Sequence, residues 1–259
     1  MDRYAELQRG LAQLLPADTI DYGFKVLRVE PLDEDVGALR VSIDSSSSEH
    51  VDCDLVVAAD GPRSVLRRLV APAAPADLRF AGYAAWRGTV ALASLPHETK
   101  IALEREYKDL GNCLYFVWAK GHGGDHGFKD RAHAVLYDIG NGLINWLVYT
   151  NRDTPAAEPG RTTTAATEAD IQGLRCAARM CWGEALGGVI DATPQPFMTD
   201  VYDLHEPLES LSAPALGIVL LGDSAHAMTP HMAKGKFRVG NWHHFAHGTK
   251  DIRRSWQES

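Results

Sequence analysis

Two apolar runs far apart in the chain end in the same two residues, read in opposite order. "DLVVAAD" leads into Asp60-Gly61, and "GIVLLGD" closes on Gly222-Asp223. A short unbroken apolar run that stops at a glycine turn is the pattern of a strand buried on both faces, as in parallel sheets. Glycine lets the backbone come close to a ligand, and the first amides after such a turn favour an anionic group such as a pyrophosphate. An aspartate at the strand's end can accept hydrogen bonds from sugar-like hydroxyls. Two strands of one parallel sheet, with a second domain inserted between them, account for this order. In open α/β sheets the ligand lies at the carboxyl ends of such strands.

The rest of the chain fits around these corners. Residues 3–15 place Leu7, Leu11, Leu14 and Leu15 at helical spacing, and Pro16 stops the pattern. "IDYGFKVLRVE", "ALRVSID" and "VDCDLVVAAD" read as a small antiparallel meander whose last strand is buried on both faces, with the serine run at 45–48 as a hairpin loop. "GPRSVLRRLV" predicts a helix, and the proline-bearing "APAAPADLRF" marks a crossover into a second region beginning near Phe80. There "GYAAWRGTVAL", "GNCLYFVWAK", "RAHAVLYDIG" and "LINWLVYTNR" predict a mixed or antiparallel sheet. Residues 153–167 read as a loop, and "EADIQGLRCAARMCWGEALGGVI" as an amphipathic helix ending at Gly187-Gly188.

Composition excludes several classes of partner. The 34 acidic residues exceed the 26 basic ones, giving a net charge of -8 that repels a phosphate backbone and argues against nucleic-acid binding. Arg63, Arg67 and Arg68, and separately Arg253-Arg254, read as solvated faces. Cys53, Cys113, Cys176 and Cys181 form no CxxC pair and lie on or near apolar segments, so buried reduced thiols and a cytoplasmic setting are expected. No apolar run approaches the roughly 20 residues needed to cross a bilayer, and no membrane partner is expected.

Asp60-Gly61 with Ser64 and Arg67 resembles the "DG" motif, and Gly222-Asp223-Ser224-Ala225-His226 with Pro230 the "GD" motif, of the single-component FAD-dependent aromatic hydroxylases. Arg3, with Leu7 and Leu11, is similar to that family's helix carrying an arginine toward the FAD. "AGYAAWRGTV", "INWLVYTN" and "TPHMAKG" look most like its dihydroxypyridine 3-hydroxylase branch. The resemblance implies an α/β fold: a partial FAD/NAD(P)-binding domain of the glutathione-reductase type with an inserted mixed β-sheet substrate domain. It divides the chain into 1–75 (partial FAD-binding domain), 76–205 (substrate domain), 206–235 (return to the FAD-binding domain) and an aberrant tail, 236–259.

The implied reaction is hydroxylation of an electron-rich ring by O2, with FAD as cofactor and NADH or NADPH as co-substrate. Arg3, Asp60, Gly61, Gly222, Asp223, Pro230 and Gly235 would contact the cofactor. His231 would polarise the substrate or the reduced ring, and Trp86 and Arg87 would line the substrate side. A core tryptophan beside an arginine whose stem lies along apolar surface is the competing account of that pair. The resemblance leaves room for a homodimer. A non-catalytic protein binding a ligand or partner through the inserted sheet is the alternative function. An FAD halogenase or reductase is a third, the halogenase disfavoured because no WxWxIP-like stretch occurs.

Two features depart from the family pattern. No strand–GxGxxG–helix occurs; the nearest stretch, "GHGGDHG" at 121–127, has one residue too many before its last glycine and lies between two predicted strands. Lacking that cradle, the chain alone is expected to bind FAD weakly or not at all. From Lys236 the text turns basic, aromatic and aperiodic. Gly235-Lys236-Phe237 can be encoded with GTAAGT, an intron donor sequence, so the tail is expected to be translated intron or shifted frame. His243, His244 and His247 within it are not expected to hold a metal.

Overall fold

The computed structural model describes residues 3–32, 38–44, 50–73, 78–119 and 132–230. The elements run α1 (Arg3–Ala12), β1 (Val26–Pro31), β2 (Leu39–Ile43), β3 (His50–Cys53), β4 (Val56–Ala58), α2 (Arg67–Val70), β5 (Arg79–Ala91), α3 (His97–Glu106), β6 (Tyr115–Trp118), β7 (His133–Asp138), β8 (Leu143–Asn151), β9 (Thr163–Ala165), α4 (Glu168–Asp191), β10 (Phe197–Asp203), β11 (Ser212–Ala213), β12 (Ile218–Leu220) and α5 (Asp223–His226). They fall into two units, one made of Met1–Leu78 with Leu204–Ser259 and the other of Arg79–Asp203.

The first unit holds an antiparallel meander, β1-β2-β3, and a second sheet ordered β11-β12-β4 in which β12 and β4 run parallel. The segment "VDCDLVVAAD" is therefore two strands belonging to two sheets, parted at Asp54-Leu55. Gly217 makes the second sheet possible. At φ 61° it turns the chain into β12, and a Cβ there would stand 2.6 Å from the Asp54 carbonyl oxygen. Val29, Leu39, Ala58, Leu66, Val70, Ile218, Leu220 and Ala225 form the core of this unit.

Several expectations are corrected here. Leu55 and Val57 are exposed, so β4 is not buried on both faces within the described residues. The predicted helix over "GPRSVLRRLV" shrinks to the single turn of α2, because Pro62 opens a turn, the Asp60 carboxylate accepts from Val65 N, and Ser64 Oγ accepts from Arg67 N. Helix α1 ends at Ala12, and its Leu7 and Leu11 stand exposed.

The second unit is one six-stranded sheet, β6-β7-β8-β5-β10-β9, in which every neighbouring pair is antiparallel. Alternation along each strand sorts its side chains onto two faces. Ala84, Trp86, Val90, Leu136, Ile144, Trp146 and Val148 face α3 and α4, and pack with Leu103, Leu174, Ala178, Trp182, Leu186 and Ile190. The Trp146 indole donates to Thr193 Oγ1 at 2.8 Å, and that hydroxyl donates to Val189 O at 2.9 Å, so the buried polar atoms are satisfied. Gly88 supplies the room, since a Cβ there would lie 2.5 Å from the Trp146 ring.

Helix α4 opens on a capping box, Thr167 with Asp170. It runs past Gly187-Gly188, where the sequence predicts its end, and breaks instead at Gly183 (φ 61°). The two later glycines are packing positions: a Cβ on Gly188 would stand 2.4 Å from Thr99 Oγ1, and one on Gly187 3.0 Å from Arg179 Cα. Arg179 ties the break by donating to Asp191 at 2.9 Å and to Glu184, which also accepts from Thr99 Oγ1 at 2.6 Å. Helix α3 and strand β10 are additions to the predicted elements, and β9 occupies part of the predicted loop 153–167. Of the four thiols only Cys181 is buried; Cys113 and Cys176 are exposed and Cys53 is partly so. Among the described residues no helix is long and apolar enough to cross a membrane.

Candidate functional site

The two corners of the sequence meet. Strands β4 and β12 pair in parallel with Ala58 opposite Leu220, and Leu221 N extends the ladder by donating to Ala58 O at 2.9 Å. Asp60-Gly61 and Gly222-Asp223 thus leave the same end of neighbouring strands. Ser224 stitches them: its fully buried Oγ accepts from Leu221 N at 3.0 Å and lies 2.5 Å from Ala58 O.

Arg67 is the lock. Only 3% exposed, it donates from Nε to Ser224 O at 2.8 Å, and from Nη2 to Pro62 O at 2.7 Å and Asp223 O at 3.1 Å. One guanidinium therefore holds the main chain of both corners. Burial lowers its pKa, and the carboxylates of Asp60 and Asp223 both oppose that shift. Two aspartates distant in sequence act on the same buried cation.

The aspartates themselves differ. Asp60 is committed to its own turn, with Oδ2 accepting from Val65 N at 2.9 Å. The Asp223 carboxylate is exposed and makes no hydrogen bond among the described residues. Gly61 (φ +81°) and Gly222 (φ +65°) have open space where a Cβ would project. Open glycine turns beside an uncommitted carboxylate fit a polyhydroxyl, phosphate-bearing group such as FAD. Asp223 would accept from its hydroxyls, and the glycines would let it approach the backbone. His226, next along, has a buried Nδ1 with no hydrogen-bond partner among the described residues.

Other predicted residues are placed less completely. Pro230 is exposed, at the end of the described chain. Arg3 opens α1, but its side chain lies outside what is described, as do His231, Gly235, the "GHGGDHG" stretch and the tail from Lys236. In the second unit the structure separates Trp86 from Arg87. Trp86 belongs to the core that packs on the helices, because adjacent residues of a strand point to opposite faces. Arg87 faces the other way.

That other face has residues the sequence did not single out. Tyr83, Ala85, Val135, Tyr137, Leu147 and Tyr149 cluster there. Phe116 on β6 stacks on His133 of β7 (centroids 4.5 Å apart), His133 stacks on Tyr149 of β8 (4.8 Å), and Tyr149 meets Tyr83 of β5 edge-on (6.0 Å). The signal was aromatic spacing within each strand, but only the register shows that the four rings are neighbours. Burial pushes the Tyr149 phenol up, with the Arg87 charge opposing it; Arg87 pairs with Leu147, diagonal to Tyr149. The Nε of Arg87 is buried and has no hydrogen-bond partner among the described residues.

No family model matches the sequence. Among curated proteins the chain is 32% identical over 237 residues to 2-heptyl-3-hydroxy-4(1H)-quinolone synthase of Pseudomonas aeruginosa, covering 89% of this chain and 50% of that protein. It is 28% identical over 234 residues to 3-amino-4-hydroxybenzoate 2-monooxygenase of Streptomyces cremeus, covering 89% and 48%. Among solved structures it superimposes on 2,6-dihydroxypyridine-3-hydroxylase from Arthrobacter nicotinovorans with TM-score 0.66 and 17% identity, over 90% of this chain and 56% of that one. It also matches HpxO of Klebsiella pneumoniae complexed with FAD and uric acid, with TM-score 0.61 and 22% identity, over 89% and 50%. At these identities the structural likeness speaks for the fold. The chain spans about half the length of the curated relatives it matches.

Proposed function

We propose that, over the half of its relatives' length that it spans, the chain is a single-component FAD-dependent aromatic monooxygenase and serves the flavin-dependent hydroxylation of an electron-rich aromatic or N-heteroaromatic ring. One observation carries this: the Asp60-Gly61 and Gly222-Asp223 corners adjoin at the ends of parallel β4 and β12, fastened by Arg67. When bound, FAD supplies the redox and oxygen chemistry, with NADH or NADPH as electron donor and O2 as co-substrate. The chain's own residues supply position.

Asp223 accepts hydrogen bonds from the cofactor's hydroxyls. Gly61 and Gly222 hold their turns open to it, and Arg67 keeps both turns in register by gripping their carbonyls. The ring substrate belongs to the sheet unit, where Phe116, His133, Tyr149 and Tyr83 form a row of aromatic rings. The paired corners form without a GxGxxG turn anywhere in the chain, so flavin contact at them can be tested even where affinity is low. Amide NMR of the full chain, titrated with FAD to millimolar concentration, should show shifts clustered at 59–65 and 221–226. FAD that leaves those amides unmoved, or moves only amides elsewhere, refutes the assignment.

A further inference from the structure

The two edges of the six-stranded sheet are finished differently. At one, β9 is three residues long and carries two threonines, the short polar form that keeps an open edge from pairing. At the other, β6 lies in the stretch 113–119, "CLYFVWA", which has no charge and no proline to blunt it. Ala119 N donates to Ala132 O at 3.0 Å, so in the alternating antiparallel ladder Tyr115 and Val117 turn their main-chain groups to β7, and Phe116 and Trp118 turn theirs to the open edge. The Trp118 carbonyl accepts from Trp182 Nε1 at 3.2 Å, whereas the outward N–H and C=O of Phe116 meet no partner among the described residues. Tyr115 and Val117 pack against the core, but Leu114, Phe116 and Trp118 are 56%, 47% and 59% exposed.

An occupant of such an edge has to bring a strand of its own, and a second copy of the chain does so by construction. Antiparallel pairing about a two-fold axis at Phe116 sets Phe116 opposite its counterpart and each Leu114 opposite a Trp118, all on one face, while Tyr115 meets Val117 on the other. Phe116 then exchanges both main-chain hydrogen bonds with its counterpart, and Trp118 N–H reaches the Leu114 carbonyl. The Trp118 oxygen has a second lone pair for Leu114 N–H beside the Trp182 indole. Copies of a chain with net charge -8 repel each other, yet the 113–119 stretch opposes no like charges. The three exposed side chains offer roughly 600 Å² over the two copies, about half of what a standard specific interface buries, so the contact is a weak one.

We propose that β6 is a contact between two copies of this chain, paired antiparallel about Phe116 so that their six-stranded sheets join edge to edge. Its small area makes the association reversible, with a dissociation constant of about 10–100 µM. The contact uses one strand of the second unit and requires neither flavin nor turnover, so it stands apart from the proposed hydroxylation.

The test is sedimentation equilibrium of the full chain from about 5 to about 500 µM, on the wild type, Phe116→Lys and Trp118→Lys. The wild type is expected to pass from monomer toward dimer across that range. Phe116→Lys sets two ammonium groups against each other at the axis, and both variants should weaken association at least about 10-fold, with amide spectra showing the sheet intact. Hydrogen exchange of the wild type at the two ends of the range needs no variant. The Phe116 amide should gain at least about three-fold protection at the higher concentration, while the amides of β4, at the edge of the first unit's sheet, stay unchanged. A chain that remains monomeric to about 500 µM overturns the proposal and leaves the edge to an occupant other than this chain. Association undiminished in a folded variant, or association that leaves the Phe116 amide unprotected, overturns it in favour of another surface.

Discussion

Replacing Arg67 by methionine should unfasten the paired corners while leaving the sheet unit untouched. The side chain is 3% exposed and donates to three main-chain carbonyls, those of Pro62, Asp223 and Ser224. Hydrogen bonds from a charged donor contribute about 1.5–3 kcal/mol each, and an abandoned buried carbonyl costs about 1–3. Against this, methionine removes the cost of burying a cation and keeps most of the volume, so the sum is smaller than three full bonds. A loss of about 3 kcal/mol is expected in the first unit, a large share of a domain's usual 5–15. Arg67→Lys should lose about 2 kcal/mol, because a point charge cannot reach three carbonyls set out for a planar fork.

Native-state hydrogen exchange is the assay, since it reports the two units separately. The amides of Leu220 and Leu221, which lie in or extend the β12 ladder, should lose about two orders of magnitude of protection in Arg67→Met, by the conversion of 1.4 kcal/mol per factor of ten. Those of Val148 and Trp146 in β8 should not change. Protection at Leu220 and Leu221 within two-fold of wild type would show that Arg67 is not the fastening, and the two corners would then owe their adjacency to backbone pairing alone.

Further outcomes follow from the same geometry. Asp223→Ala should change stability by about 1 kcal/mol or less, because the carboxylate is exposed and makes no hydrogen bond among the described residues although its charge acts on Arg67, yet abolish FAD-induced shifts at 221–226; Asp60→Ala should cost about 1 kcal/mol through loss of its bond to Val65 N. Gly88→Ala should destabilise the sheet unit by about 2–3 kcal/mol, read from urea midpoints, since the new Cβ would stand 2.5 Å from the Trp146 ring. Burial pushes the Tyr107 phenol up to about 12, so the fold holds that proton more tightly than the unfolded chain does. The stability this contributes is fully present below about pH 10, the unfolded value, and is lost as pH rises toward 12. Tyr107→Phe should flatten that part of the curve in urea titrations.

Much of the site was legible because its signals are local. An apolar run, a glycine and an aspartate within seven residues identify a strand and its turn, and both corners stand at strand ends as expected. The helix of α4 was legible from its spacing, but neither its Thr167 cap nor its break was. Gly183 and Gly187-Gly188 look alike in sequence, and only contact with Thr99 and Arg179 decides which of them bends the chain and which pack it. The pair Trp86-Arg87 shows the same limit. Alternation says that they part, and only the helices laid over one face say which of them is core.

The sequence alone determined the strand and turn chemistry of the two corners, the antiparallel character available to the sheet region, and the resemblance that joins them to a flavin family. Such features arise from neighbours within a few residues, where period and backbone preference act directly. Only the tertiary structure decided that one buried guanidinium fastens both corners, that Asp60 is spent on its own turn while Asp223 is not, and that four aromatic rings line up across adjacent strands. Each of these depends on which distant strands pair and in what register, and register is fixed by burial summed over the whole sheet rather than by any residue's immediate neighbours.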